Sequence, residues 1–152
     1  MRIGVMSDSH DNLPMIRKAI RLFTDEGVGA VLHAGDFIAP FAVKEIMKFK
    51  GTVAAVFGNN DGEKKGILKL GLDVADPPRT VALGGRRILL CHARPEGAQG
   101  ADVVVFGHTH DVAVEKGAPL LLNPGECGGW LSGRCTVALL DLASLDVEIK
   151  EL

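Results

Sequence analysis

The sequence lacks several features that would assign it to a class of protein at once. Its formal net charge is only -2 and it has no run of basic residues, so its charge does not indicate a nucleic-acid partner. No stretch is long enough to span a membrane, and the first residues lack the basic-then-apolar pattern of a secretion signal. The three cysteines have no Cys-x-x-Cys spacing, which fits a reduced interior. We therefore expect a cytoplasmic protein without membrane association.

Hydrophobic patterning predicts one domain over residues 1–152, because no repeat, low-complexity segment or linker divides the chain. The first part alternates strands at 2–7, 30–34 and 52–57 with helices at 13–26 and 40–49, as in parallel sheets with crossover helices. Later, Gly84-Gly85 predicts a hairpin between strands at 80–83 and 86–91. Further short strands are expected at 102–106, 111–115, 120–122, 136–142 and 146–150. The pattern favours a parallel-leaning sheet packed on a more antiparallel one, with helices outside.

All five histidines lie within or beside short polar motifs that follow hydrophobic runs. Buried strands that each deliver imidazole, carboxylate or amide groups at one end indicate a metal centre at the edge of a sheet, where α/β proteins usually place their sites. The motifs are, in chain order, Asp8-Ser9-His10, His33-Ala34-Gly35-Asp36, Gly58-Asn59-Asn60-Asp61, His92 and Gly107-His108-Thr109-His110.

The side chains of these motifs favour two transition-metal ions. Imidazoles, carboxylates and a carboxamide without a thiolate suit manganese, iron, cobalt, nickel or zinc better than calcium. Residues two apart in an extended segment face the same way, so Asp8 with His10, and His108 with His110, are expected to point inward together. Asp36 has two carboxylate oxygens and the central position, which makes it the expected bridge between the ions. Such a pair can clamp a phosphoryl group and generate hydroxide from bound water.

The order and spacing of the motifs resemble the calcineurin-like metallophosphoesterase superfamily, and the short chain resembles its small bacterial and archaeal phosphodiesterase branch. The resemblance runs from Arg2 to about Gly125 and includes the segment Asn123-Pro124-Gly125. It implies an α/β fold, α+β in the C-terminal part, that forms a four-layer αββα sandwich of two mixed β-sheets flanked by helices. It also implies that Asp8, His10, Asp36 and His110 bind one ion, and that Asp36, Asn59, His92 and His108 bind the other.

Each motif taken singly also has an ordinary explanation. A lone histidine at a strand end is often only solvated or hydrogen-bonded, and Asp36 and the Asn59 loop have the composition of turns. These explanations together require every histidine to be placed by accident, and we therefore prefer the metal site. His33 either orients a ligand through a hydrogen bond or is a packed strand residue. Asp61 is expected to orient the Asn59 loop or to cap the segment after it, and Asn12 either serves the phosphate or caps the first helix.

Two positions depart from the family pattern. Larger phosphomonoesterases have a histidine after the metal-binding asparagine, placed to protonate the leaving group, but Asn60 has no proton to exchange near neutral pH.

The segment 93–101 is shorter than in relatives and, with two glycines and a proline, is not expected to hold a full helix. Within it, Arg94 either binds a phosphate oxygen or is an exposed loop residue. The missing helix would widen substrate access or create a homo-oligomer interface. Trp130 either stacks on a base or packs at a loop or subunit contact.

The sequence thus predicts a metal-dependent phosphodiesterase that uses hydroxide bound at a dinuclear centre. The expected cofactors are two divalent ions, Mn²⁺ ahead of Ni²⁺, Co²⁺, Fe²⁺ or Zn²⁺, and the expected partner is a small-molecule phosphate ester substrate. Two alternatives stay open: a phosphomonoesterase on the same site, which Asn60 disfavours, and a non-catalytic binding scaffold, since the retromer scaffold subunit resembles this fold with a degraded metal site. Asp36, Asn59 and His92 are assigned to catalysis, and Asn12, Asn60 and Arg94 are candidates for substrate binding.

Overall fold

The first of two β-sheets is built from both ends of the chain. The computed structural model describes residues 1–152. Four parallel strands, β1 (Arg2–Met6), β2 (Ala30–His33), β3 (Thr52–Val56) and β4 (Asp73–Ala75), alternate with α1 (Leu13–Asp25), α2 (Pro40–Ile46) and α3 (Lys64–Lys69). The last two strands, β10 (Thr136–Asp141) and β11 (Val147–Glu151), add antiparallel pairs beside β1. The sheet is therefore mixed, in the order β11-β10-β1-β2-β3-β4.

The second sheet is formed by the middle of the chain. Its strands are β5 (Arg79–Leu83), β6 (Arg86–Leu90), β7 (Val103–Val105), β8 (Val112–Glu115) and β9 (Leu120–Pro124). Three neighbours, β6, β7 and β9, are parallel, and β5 and β8 pair antiparallel at the edges. The predicted hairpin between β5 and β6 is confirmed, and Gly84 and Gly85 have the positive φ angles of 55° and 77° that a type I′ turn requires at both central residues.

Apolar side chains form a core on each face of the six-stranded sheet. The outer core packs the three helices on the sheet, and Ile16 and Phe23 contribute from the buried face of α1. The inner core lies between the sheets and joins Leu32 of the first sheet to Leu90 and Val105 of the second. The parallel strands are thus buried on both faces, which explains why they are continuous apolar runs in the sequence.

The outer face of the five-stranded sheet carries no helix. A small core there, which includes Leu89 and Phe106, is packed against Ala98 and Ala101 of the segment 93–101, and this segment contains no helix. The predicted sandwich of two mixed sheets is confirmed, and so is the missing helix. The fourth layer of the expected αββα arrangement is therefore a loop, and helices flank only one of the two sheets.

The sequence pattern does not predict α3 and β4. With six and three residues respectively, both elements are too short to show a repeating hydrophobic pattern. The second helix ends at Ile46 and not at residue 49 as predicted. The bounds of the first helix and of all predicted strands agree with the prediction within two residues. None of the three helices has the length and apolar content that a membrane crossing requires.

Candidate metal centre

The polar motifs meet beyond the carboxyl ends of β1, β2, β3, β6 and β7. Main-chain hydrogen bonds join their loops: the Asp8 N–H donates to the Gly35 carbonyl (3.0 Å), and the Gly107 N–H donates to the His92 carbonyl (2.8 Å). The Asp8 side chain links the two sheets, because its Oδ2 accepts the backbone N–H of His108 at 3.0 Å. Side chains far apart in the sequence are therefore held in one place by backbone contacts.

Asp8, His10 and His110 form the first group of candidate ligands. One ligand atom of each lies within 4.8 Å of the others. Asp8 Oδ1 is 3.8 Å from His10 Nε2 and 3.6 Å from His110 Nε2, and His10 Nε2 is 3.4 Å from Asp36 Oδ2. Asp8 Oδ1 and His10 Nε2 are buried without a hydrogen-bond partner. Because buried polar atoms are nearly always partnered, these two orphaned atoms fit a cation that both would bind.

Asn59, His92 and His108 form the second group, together with Asp36. His92 Nδ1 lies 2.8 Å from the Ala34 carbonyl, which only accepts, so this nitrogen carries the proton. In the neutral imidazole, the lone pair of Nε2 then faces Asn59 Oδ1 at 2.8 Å and Asp36 Oδ2 at 3.4 Å. His108 Nδ1 is 3.0 Å from the same Asn59 oxygen. Electron pairs that converge in this way fit a cation between them.

Asp36 lies between the two groups. Its Oδ2 atom is 3.4 Å from both His10 Nε2 and His92 Nε2. Asn60 donates to both of its oxygens, from the backbone N–H to Oδ1 and from the side-chain amide to Oδ2, each at 2.8 Å. A Cβ at Gly58 would collide with the Asp36 carboxylate, so only glycine allows this approach. This position suits a carboxylate shared by two ions.

The electrostatics of the site favour bound cations. Burial works against the ionisation of Asp8 and Asp36, yet contacts that include His10 for Asp8 and His92 for Asp36 hold the pKa of each carboxyl below its usual value. The Asp8 contact raises the pKa of His10, and the Asp36 contact outweighs burial to raise the pKa of His92. The carboxylates stay ionised, and their negative charge makes the neighbouring imidazoles easier to protonate. Both effects indicate a negative potential, which attracts cations.

Backbone strain is concentrated at the candidate ligands. Asp8, His10, Asp36, His108 and His110 all have positive φ angles, of 51°, 38°, 60°, 69° and 64°. This conformation is uncommon for residues other than glycine and clusters at functional sites. The finding corrects the expectation that these residues lie in extended segments, because they lie in turns beyond the strands. His108 and His110 contact different groups of ligands, as their expected assignment to different ions requires.

His33 supports the site through residues that adjoin the ligands. Its Nδ1 accepts the Gly35 N–H at 3.1 Å, so Nε2 carries the proton and donates to Ser9 Oγ at 3.0 Å. Complete burial lowers the pKa of His33 to about 3, which keeps the ring neutral. His33 thus joins the Asp8–His10 turn to the Asp36 turn without contacting a candidate ligand itself.

Asp61 joins two of the loops. Its Oδ2 accepts the N–H groups of Asp36 (3.0 Å) and Gly58 (2.7 Å), and its Oδ1 accepts that of Ile38 (2.7 Å). Burial raises the pKa of this carboxyl, against these three hydrogen bonds. Asp61 therefore orients the Asn59 loop, which is one of its two expected roles. It does not cap the following helix, because Glu63 occupies the N-cap of α3.

Asn12 and Arg94 make their contacts outside the two groups. Asn12 is the N-cap of α1, accepts the Met15 N–H at 3.4 Å and donates to the Gly128 carbonyl at 2.7 Å. Arg94 forms a two-pronged ion pair with Glu115, with N–O distances of 2.5 and 2.9 Å, and half of its side chain is exposed. Neither residue has a hydrogen bond to a candidate ligand, and Arg94 is an exposed loop residue with a carboxylate partner.

Sequence reasoning missed Glu126. This residue is fully buried, and its Oε1 lies 3.0 Å from Nδ1 of His110. Ser132 donates to Glu126 Oε2 from both its N–H and its hydroxyl, and despite burial these contacts lower the pKa of the carboxyl. Its only signal in the sequence is an acidic residue directly after Asn123-Pro124-Gly125, and nothing in the sequence indicates that it faces His110.

Two clefts flank the candidate ligands. A cleft of about 340 Å³ borders Asn59, His92 and His108, and its other lining residues include Lys64 and Pro77. A second cleft of about 210 Å³ borders the candidate ligands His10 and His110. Its full lining is His10, Asn60, His110, Glu126, Trp130 and Leu131. A bound molecule at the metal centre therefore has room on two sides.

Comparison with known proteins identifies the family. Residues 1–145 match the model of the calcineurin-like phosphoesterase superfamily domain. The phosphodiesterase MJ0936 of Methanocaldococcus jannaschii is 40% identical over 156 aligned positions, which cover 93% of each chain. The phosphodiesterase YfcE of Escherichia coli K12 is 30% identical over 82% of this chain and 78% of its own. The solved structure of an archaeal phosphodiesterase superposes with a TM-score of 0.91 at 35% identity, over all of both chains. The chain belongs to the calcineurin-like phosphoesterase superfamily.

Proposed function

We propose that this chain is a metal-dependent phosphodiesterase that binds two divalent ions, with Asp36 shared between them. The observation that carries the proposal is the convergence of Asp36 Oδ2, Asn59 Oδ1 and His92 Nε2 on one point, within a family of phosphoesterases. When His92 is neutral with its proton on Nδ1, all three atoms present electron pairs to one another, and a cation between them removes that repulsion.

The ligand sets follow from the two groups of side chains. Asp8, His10, Asp36 and His110 would hold one ion, and Asp36, Asn59, His92 and His108 would hold the other. Two divalent ions would supply Lewis acidity to the phosphoryl oxygens and activate water as the nucleophile. The mixture of oxygen and imidazole nitrogen ligands without sulfur suits Mn²⁺, Ni²⁺, Co²⁺, Fe²⁺ and Zn²⁺. We propose Mn²⁺ as the physiological metal among them, because carboxylate oxygens take part in both ligand sets and a carboxamide oxygen in one.

The protein's own groups orient this centre. Asp36, Asn59 and His92 are the proposed catalytic ligands. The Asn60 amide fixes the Asp36 carboxylate and the Ala34 carbonyl fixes the His92 ring, which sets the direction of their free electron pairs. The Asn60 amide, which donates to Asp36 and lines the second cleft, is placed to contact a phosphoryl oxygen. A substrate bound there would meet donors and ligands that are already in position.

Diesters are the proposed substrates, for two reasons. Asn60 has no titratable proton for a poor leaving group, which disfavours alkyl monoesters. The clefts on both sides of the centre also leave room for two ester groups on one phosphate. We propose a small-molecule diester, since the net charge of -2 provides no surface for a nucleic-acid backbone.

Parallel hydrolysis assays test this function. Metal-free protein is assayed on bis(p-nitrophenyl) phosphate and on p-nitrophenyl phosphate, with chelator, with Mn²⁺ and with Ni²⁺, Co²⁺, Fe²⁺ or Zn²⁺. We expect hydrolysis only with metal, a higher kcat/KM for the diester, and the highest rate with Mn²⁺. A higher kcat/KM for the monoester would favour the phosphomonoesterase alternative. A protein that binds two ions per chain and hydrolyses neither ester would favour the binding scaffold and overturn the proposal.

A further inference from the structure

Trp130 and Leu131 form an exposed apolar ledge beside the candidate metal centre. They are neighbours in the loop between β9 and β10, and their exposed fractions are 65% and 79%. Single exposed apolar residues are ordinary on protein surfaces. Two adjacent large apolar residues at the rim of a site are less common, because side chains exposed to water lack the stabilisation that burial provides. They point to a contact that forms when a ligand is bound.

The ledge is held in place by the metal centre itself. The backbone N–H groups of Trp130 and Leu131 donate to the buried Glu126 carboxylate at 2.8 and 3.1 Å. The indole Nε1 of Trp130 donates to the His10 carbonyl at 3.0 Å. An exposed indole anchored by its only polar atom is already positioned for binding, so little ordering would accompany a ligand contact.

The ledge and the candidate ligands line one continuous cleft. We call this cleft of about 210 Å³ the Trp130 subsite, lined by His10, Asn60, His110, Glu126, Trp130 and Leu131. A phosphate at the metal centre would therefore carry one of its ester groups directly onto the indole.

We propose that the Trp130 subsite binds a planar aromatic ester group of the substrate by stacking on Trp130. This inference rests on the proposed function, because it places the phosphoryl group at the metal centre. Aromatic rings stack favourably on indole. The Glu126 oxygens are occupied by the N–H groups of its own loop, so the cleft has few free groups for a sugar or a peptide. The substrate class is then a diester with at least one aromatic group, such as a nucleobase or an aryl ring.

Binding can be measured without turnover. Trp130 is the only tryptophan and the chain has no tyrosine, so intrinsic fluorescence reports on this subsite. Metal-loaded protein is titrated with adenosine 5′-monophosphate and phenyl phosphate, and with ribose 5-phosphate and methyl phosphate as non-aromatic counterparts. Stacking is worth ~1–3 kcal/mol per base, so we expect the aromatic phosphates to bind about 5-fold to 150-fold more tightly and to change the fluorescence. Leu131→Ala should weaken that preference, and Phe41→Ala, at an aromatic residue 50% exposed on α2, should not. Equal affinities for aromatic and non-aromatic phosphates would overturn the inference.

A kinetic comparison separates this inference from the proposed function. Phenyl p-nitrophenyl phosphate and methyl p-nitrophenyl phosphate share a leaving group, so the ratio of their kcat/KM values isolates the second ester group. Trp130→Ala should lower the wild-type ratio about fivefold or more, and Trp130→Phe, which keeps a ring but loses the bond to His10, should retain most of it. A ratio unchanged in Trp130→Ala with hydrolysis intact contradicts the subsite alone. Absence of hydrolysis with the aromatic preference in binding intact contradicts the proposed function alone.

Discussion

Glu126 Oε1 lies 3.0 Å from His110 Nδ1, so a fully buried carboxylate is within ion-pair distance of the imidazole whose other nitrogen faces Asp8, although the angle is not that of a hydrogen bond. Metal-binding histidines usually donate their second ring N–H to such a group, which fixes the tautomer and the ring orientation. Glu126 also holds the Trp130 loop, and therefore one carboxylate positions both a candidate ligand and the apolar ledge.

Neutralising Glu126 should weaken metal binding at the His10–His110 group. In Glu126→Gln the side chain keeps its size but loses its charge, and we expect affinity for one ion to fall about 10–100-fold, the usual effect of losing such a partner. The measurement is a metal titration against a chelator of known affinity. Glu115→Gln is the matched control, because Glu115 is exposed and pairs only with Arg94. Unchanged affinity in a folded Glu126→Gln protein would contradict the positioning role.

Asp36 and His10 should affect metal stoichiometry differently. Because Asp36 Oδ2 faces both His10 and His92, Asp36→Asn should reduce the binding of both ions and nearly abolish hydrolysis. His10→Ala should remove one ion and leave the other. Elemental analysis beside kinetics measures both, and Asp73→Asn is the control, since this exposed carboxylate pairs with Arg79 and contacts no candidate ligand. A fully active, metal-free Asp36→Asn protein would refute the proposed site.

The rate of hydrolysis should depend steeply on the pKa of the leaving group. Asn60 lies against the Asp36 carboxylate and has no proton to transfer. Asn60→His should flatten the dependence and raise the rate with alkyl leaving groups, since a well-placed general acid contributes typically 10²–10⁴-fold. Asn60→Ala removes the same amide without adding an acid and should not have this effect. If the wild-type protein cleaves alkyl and aryl esters at equal rates, a different group supplies the proton.

Arg94 should be dispensable for turnover. Its guanidinium is engaged by Glu115 at the surface, and such exposed ion pairs contribute roughly 0–1 kcal/mol to stability. We expect Arg94→Ala and Arg94→Lys to match the wild-type kcat within about twofold and to retain full metal content. A clear loss of kcat at constant metal content would instead place Arg94 on the phosphoryl group.

The sequence predicts the strands well because they are buried on both faces. Val5, Leu32 and Val105 belong to continuous apolar runs, and polar residues follow each run at the edge of the sheet. The short elements α3 and β4 are held by tertiary packing, which local hydrophobic spacing does not encode. Ile67 of α3, for example, is buried in the outer core. That residues 1–152 form one domain stays a prediction.

The details of the site depend on contacts between distant residues. The side chains of Asp8 and His10 lie close together, as the sequence analysis expects, but both residues have positive φ and not the extended backbone that it assumes. Glu126 could not be assigned, because its partner His110 is brought to it by the packing of β9 beside β7 and β8. The same holds for the indole of Trp130, whose bond to the His10 carbonyl spans 120 positions of the chain.

His33 should make the folded state less stable as the pH falls. Burial lowers its pKa to about 3 in the folded protein, whereas a histidine in the unfolded chain titrates near 6.5. The unfolded state therefore binds a proton first, and the stabilisation that is present above pH ~6.5 is lost progressively toward pH ~3. The stability of metal-free wild-type protein relative to His33→Asn should fall by about 1.4 kcal/mol per pH unit across this window. Urea unfolding of both proteins in chelator between pH ~7.5 and ~4.5 measures it, and the difference between the two proteins removes the contribution of the four other histidines except for the charge interactions of His10 and His92 with His33. Parallel curves for the two proteins would mean that His33 is protonated as readily in the folded state as in the unfolded chain.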